Sequence, residues 1–87
     1  MRIEKKTSRQ YFQKILDGDK TFELRLADWE CQPGDVLVLR EWDNDVQHYT
    51  GRVLEKKISY VLKTKDTDFF SQKEDIEKFG FQVICWK

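Results

Sequence analysis

Eight consecutive residues carry the most chemistry per position: Gly18-Asp19-Lys20-Thr21-Phe22-Glu23-Leu24-Arg25. Gly18 follows a helical stretch and favours a left-handed stop, so the chain turns there and restarts as a strand. On that strand Thr21, Glu23 and Arg25 share one face, while Phe22, Leu24 and Leu26 share the other and are expected to face the core. Residues two apart on one face stand roughly 6.5–7 Å from each other, near enough to converge on one small ligand. A carboxylate accepts and a guanidinium donates as a planar fork, which is how a site holds a base edge or a phosphate, and Lys20 adds a mobile cation. The same pattern also describes a solvated strand face carrying a surface ion pair, worth little to stability.

A second group lies where the apolar run Val36-Leu37-Val38-Leu39 passes into Arg40-Glu41-Trp42. Arg40 shares parity with Val36 and Val38, so it is either partly buried and paired or directed into a cleft. Trp42 and Tyr49 flank the polar loop around Asp43-Asn44-Asp45. Their rings suit base stacking, as single-stranded RNA recognition requires, or they cap one end of the core. Lys5, Lys6, Arg9 and Lys14, with Lys56, Lys57, Lys63 and Lys65, form a phosphate track if they gather on one side and a solvated face if they do not. His48 is the only histidine, and Cys31 and Cys85 stand far apart, so neither a metal site nor another cofactor is expected. Both cysteines read as reduced thiols, with Cys85 packed inside its strand. The Asp43/Asp45 and Asp66/Asp68 pairs read as turn formers rather than calcium ligands. No P-loop, dinucleotide fingerprint or nucleophile elbow is present.

The elements that must position these residues are punctuated clearly. A strand opens the chain. Thr7-Ser8-Arg9-Gln10 reads as a capping box with Thr7 at the N-cap, and Tyr11, Phe12, Ile15 and Leu16 fall on one helical face. After the strand through Leu26, Gln32-Pro33-Gly34-Asp35 reads as a tight turn into a central strand. Extended structure resumes at Tyr49-Thr50-Gly51-Arg52, and Leu54, Ile58, Tyr60 and Leu62 share a face, with Lys56 as a bulge or a snorkelling side chain. Ser71-Gln72-Lys73-Glu74 starts a second short helix that stops at Gly80, and Phe81–Trp86 closes as a strand. The expected fold is α+β, mainly β: a single domain over 1–87, built as a small closed or nearly closed barrel of about five strands with two short helices.

Composition sets the outer limits. Eighty-seven residues support one core, and three Trp, three Tyr and six Phe supply its burial. Lys plus Arg and Asp plus Glu balance at 16 each, so binding driven by a nucleic-acid backbone requires a local patch of cations. With neither an apolar leader nor a long apolar run, a soluble, cytoplasmic protein is expected, away from membranes and monomeric.

The segments GDKTFELR, PGDVLVLREWD and YTGR, followed by a closing aromatic strand, resemble the ASCH domains of the PUA-like superfamily. They are most similar to a branch of small prokaryotic and phage proteins of unknown function. The resemblance spans nearly the whole chain and implies a small β-barrel with packed helices and a cleft that binds RNA or modified nucleosides. The matching positions are Gly18, Lys20, Thr21, Glu23 and Arg25, with Arg40 on the neighbouring strand. An enzymatic branch, small amidohydrolases that deacetylate acetylated cytidine, carries a motif resembling G-x-K-T-x-T-x-R. Here Glu23 stands at the second Thr, and a carboxylate does not replace an alkoxide nucleophile.

The expected function is therefore a non-catalytic RNA-, nucleotide- or modified-nucleoside-binding domain that uses Lys20, Thr21, Glu23, Arg25, Arg40, Trp42 and Tyr49. An amidohydrolase with an altered catalytic set and a protein-interaction module are the alternatives.

Overall fold

The computed structural model describes residues 1–66 and 80–87. Five strands, β1 (Arg2–Ser8), β2 (Phe22–Leu26), β3 (Val36–Asp43), β4 (His48–Lys63) and β5 (Phe81–Trp86), form one sheet in the order β1-β3-β4-β5-β2. One α-helix, α1 (Arg9–Leu16), follows β1, and a 3-10 turn at Thr64–Asp66 follows β4. The expected barrel does not close. Among the described residues, β1 pairs only with β3, in parallel, and β2 only with β5, antiparallel, so both stand at edges with no backbone ladder between them. The predicted helix at 71–80 falls mostly outside the described residues. Among those described, no helix is long and apolar enough to cross a membrane.

β3 is central, as its apolar run predicts: Leu37, Val38 and Leu39 are all buried. The core gathers Ile15, Cys31, Leu37, Leu39, Ile58, Ile84 and Trp86, with Ile3, Trp29, Leu54 and Val61 packed against it. Each large side chain buried there contributes roughly 1.5–3 kcal/mol, and truncating Leu39 to Ala would cost roughly 2–5 kcal/mol. β4 serves two partners, β3 through its first half and β5 through its second. A register shift between Ile58 and Tyr60 separates the two halves. That bulge changes which parity faces the core, so Val61 packs inward and the expected common face of Ile58, Tyr60 and Leu62 is broken. Lys56 stays half-buried opposite Leu37, in regular register, and snorkels rather than bulges.

Three local expectations are corrected. The N-cap of α1 is Ser8, not Thr7, and its side chain makes no cap bond. Phe12 and Ile15 are buried but Tyr11 and Leu16 are exposed, because a short helix on a sheet contacts it along a narrow stripe. The buried thiol is Cys31, while Cys85 is only half-buried. The Pro33-Gly34 turn forms as read, with Asp35 N–H donating to the Gln32 carbonyl at 3.1 Å and Gly34 at φ 97°.

Candidate functional site

The helix-to-strand turn sets the site. Gly18, at φ 83°, lets the chain leave α1, and the amides of Asp19 and Lys20 both donate to the Lys14 carbonyl at 3.1 Å. β2 then runs with the opposite face inward from the one its alternation suggests. Phe22, Leu24 and Leu26 are 44%, 58% and 44% exposed, whereas Glu23 is 4% exposed. Pairing decides this: Glu23 lies opposite Ile84 and Arg25 opposite Gln82, both fully buried residues of β5.

Burial of Glu23 is compensated on both oxygens. Lys20 Nζ donates to Oε1 at 2.5 Å and to the Phe22 carbonyl at 2.7 Å, and Arg25 Nε donates to Oε2 at 2.8 Å. Desolvating one carboxylate is offset only by such pairing, so the triad stands or falls together. Arg25 also donates through a terminal nitrogen to the Lys6 carbonyl at 2.6 Å. That bond spans the gap between β2 and β1, the two sheet edges. At the gap lies a cavity of about 540 Å³ lined by Lys6, Thr7, Ser8, Tyr11, Lys20, Phe22, Glu23, Leu24 and Arg25. Its size falls within the usual range for small-molecule sites. Among the described residues, three cations and one carboxylate line it, a local surplus of two positive charges in a chain whose formal net charge is zero. The ammonium and guanidinium each keep donors not used in binding Glu23.

The sequence-derived residues divide into three groups. Lys20, Glu23 and Arg25 come together in the cavity wall. Thr21 does not join them: it is exposed, and its carbonyl accepts from the Trp86 amide at 3.3 Å. Arg40, Trp42 and Tyr49 form a separate cluster. Trp42 and Tyr49 meet edge to face with ring centroids 5.0 Å apart, and Arg40 lies 4.0 Å over Tyr49 while reaching Glu4 at 3.4 Å. Of the two readings of Arg40, partly buried and paired is the one observed. Lys6 belongs to both regions, lining the cavity and lying 3.8 Å over Trp42. One face of each aromatic ring is thus already covered by a cation. Of the two readings of the basic residues, the single phosphate track does not form: Lys5 packs over Trp29, Arg9 pairs with Asp43, and Lys63 pairs with Glu30.

Sequence reasoning missed Thr7, Ser8 and Tyr11 as cavity residues, having given them to helix capping and core. It named Glu41 only as part of the strand end and missed its pairing: 3% exposed, the carboxylate accepts from Arg52 at 2.9 and 2.8 Å and from Thr50 at 2.6 Å. The Arg52 hydrogen bonds hold this carboxyl well down, at about 2. Burial pushes the Cys31 thiol up, which keeps it unreactive. Among the described residues, no three His, Cys, Asp or Glu side chains converge as a metal-ligand set.

Comparison with known proteins covers most of this architecture but not β5. Over 63 residues the chain is 38% identical to an "Uncharacterized 12.9 kDa protein in GpA 3'region" of Escherichia phage P2. That match covers 72% of this chain and 56% of the phage protein, so the chain spans little more than half of its relative's length. Residues 4–76 match the family described as "Domain of unknown function (DUF3850)". The stretch holds most of β1 and all of α1, β2, β3 and β4, with every described residue that lines the cavity, and the chain belongs to the DUF3850 family.

Proposed function

We propose that the cleft between β1 and β2 binds a ribonucleotide-like ligand, free or within RNA, without converting it chemically. The observation that carries the reading is the buried Glu23 holding Lys20 and Arg25 at the wall of a cavity with a surplus of positive charge. Glu23 keeps lone pairs for a base amino group, and the two cations keep donors for phosphate. The likeness of the G-x-K-T-F-E-L-R segment to ASCH domains supports the same reading, since Lys20, Glu23 and Arg25 are matching positions that line the cavity.

The engagement of Glu23 at the cavity wall supports binding rather than catalysis. Thr21, the remaining hydroxyl of the amidohydrolase-like motif, does not line it, and both Glu23 oxygens are engaged by cations. Release of cytidine from acetylated cytidine is expected to proceed no faster with the native chain than with Lys20→Ala.

The direct test is an NMR titration of isotope-labelled protein with a nucleoside and nucleotide panel and short single-stranded RNA at two salt concentrations. Resonances of Lys20, Glu23 and Arg25 are expected to shift together. Glu23→Gln is expected to retain the fold and weaken binding about a hundredfold, because it discharges the group that orients both cations. Unchanged affinity in that variant would sink the assignment.

A second reading rests on the outer face of the sheet. Phe22, Leu24, Leu26 and Phe81 are all exposed, and β2–β5 pairing sets Leu26 beside Phe81. Contiguous apolar surface of this kind suits a protein partner. It becomes the better account if the whole titration panel leaves the cleft unshifted.

A further inference from the structure

The amino end of α1 opens onto the same cavity, which Thr7, Ser8 and Tyr11 help to line. Ser8 holds the N-cap in extended conformation, yet its side chain makes no cap bond, and no acidic residue occupies the first turn. The leading amides of a helix have no partner within it, and the helix dipole favours an anion in front of them. Thr7 supplies an independent sign. It is 3% exposed, it lines the cavity, and its Oγ1 has no hydrogen-bond partner. A buried hydroxyl without a partner is destabilising and is not expected unless something else selects for it. Lys20 and Arg25 stand in the wall of the same cavity, and the single carboxylate there, Glu23, is already bound by both.

We propose that this end of the cleft is a phosphate seat. Thr7 Oγ1 and the first-turn amides of α1 donate to phosphate oxygens, while Arg25 and Lys20 balance the charge. The apolar wall of Phe22 and Leu24 is left to the base. The inference rests on the nucleotide reading of the cleft and deepens it, because it sets the ligand's orientation and makes phosphate the group that discriminates. The phosphate is carried either by a free mononucleotide or by an RNA strand.

The test follows backbone amides of the labelled chain and its Thr7→Val and Thr7→Ser variants. The probes are inorganic phosphate, cytidine, cytidine 5′-monophosphate and a short RNA without terminal phosphates. Cytidine 5′-monophosphate and inorganic phosphate are expected to shift the amides of Arg9, Gln10 and Tyr11, and cytidine is not. Thr7→Val is expected to weaken the monophosphate about tenfold and leave cytidine unchanged, and Thr7→Ser to keep native affinity. Thr7→Val should also unfold at no lower denaturant concentration than the native chain, since its hydroxyl bonds nothing in the protein. Shifts at α1 with the RNA equal to those with the monophosphate support a strand as the source; shifts with the monophosphate alone support a free nucleotide. Native affinity of Thr7→Val for the monophosphate, or its marked destabilisation, overturns the seat. If cytidine shifts β2 while the monophosphate adds nothing at α1, the seat fails and the cleft reading survives. If no probe moves the cleft, both fail.

Discussion

Glu23 and Glu41 are both buried and both paired with an arginine, yet the two regions around them differ in what the pairing leaves over. At Glu41 the guanidinium of Arg52 binds both carboxylate oxygens, Thr50 adds a third bond, and the group closes on itself at the β3–β4 hairpin. At Glu23 each oxygen takes a different cation, one from the turn before β2 and one from β2 itself, and both cations also line a cavity. One carboxylate satisfies one cation and makes a lock. The other holds two cations in place beside open space without neutralising both. Counting ion pairs would not separate the two; the residual charge and the adjoining space do.

Four measurements press on this contrast. The largest effect is expected at the lock: Glu41→Ala should lower unfolding stability by about 3 kcal/mol in urea titration, while the remaining folded protein binds ligand normally. Arg25→Ala should do the reverse, weakening ribonucleotide binding by about thirtyfold in calorimetry, roughly 2 kcal/mol, with a smaller loss of stability. Equal effects of both variants on both readouts would erase the distinction.

Acid gives a second probe of the lock. The Glu41 carboxyl is held at about 2 in the folded chain, below its usual 4.5, so its contribution is fully present above pH 4.5 and is lost as pH falls towards 2. Over that window the native chain should lose on the order of 1–2 kcal/mol more than Glu41→Gln, a value discounted because Arg52 is half in water. The smallest effect belongs to Arg40→Gln. Its 3.4 Å pair with Glu4 is exposed and its side chain does not line the cavity, so stability should change by less than about 0.5 kcal/mol and affinity by less than about threefold. A larger loss of affinity would extend the site to the Trp42–Tyr49 cluster.

How far the sequence reaches is clearest at β2. Its strict alternation correctly marks a strand with two unlike faces, and Lys20, Glu23 and Arg25 emerge as neighbours. Alternation does not say which face turns inward, because period-two patterning fixes parity and leaves orientation to the partner strand. β5 makes that choice, placing Gln82, Ile84 and Trp86 inside, and Glu23 follows. The expectation that Phe22, Leu24 and Leu26 are core fails for that reason. Thr7 was hidden differently: a threonine three residues before a glutamine satisfies the capping rule in sequence, but α1 begins one residue later. The pairing of Glu41 could not be read because its partners lie nine and eleven residues away across a hairpin whose register is set only in the fold. The open sheet was equally out of reach, since closure depends on whether two edges meet, and no local pattern records it.

The bond from Arg25 to the Lys6 carbonyl has a consequence for how the chain behaves in a crowd. An uncovered strand edge is a template on which other chains can add by main-chain pairing. In this fold a single guanidinium occupies an acceptor of one edge while anchored on the other, so that acceptor is not open to an added strand. The same side chain therefore bears on two properties at once, the accessibility of a sheet edge and the shape of the cavity wall.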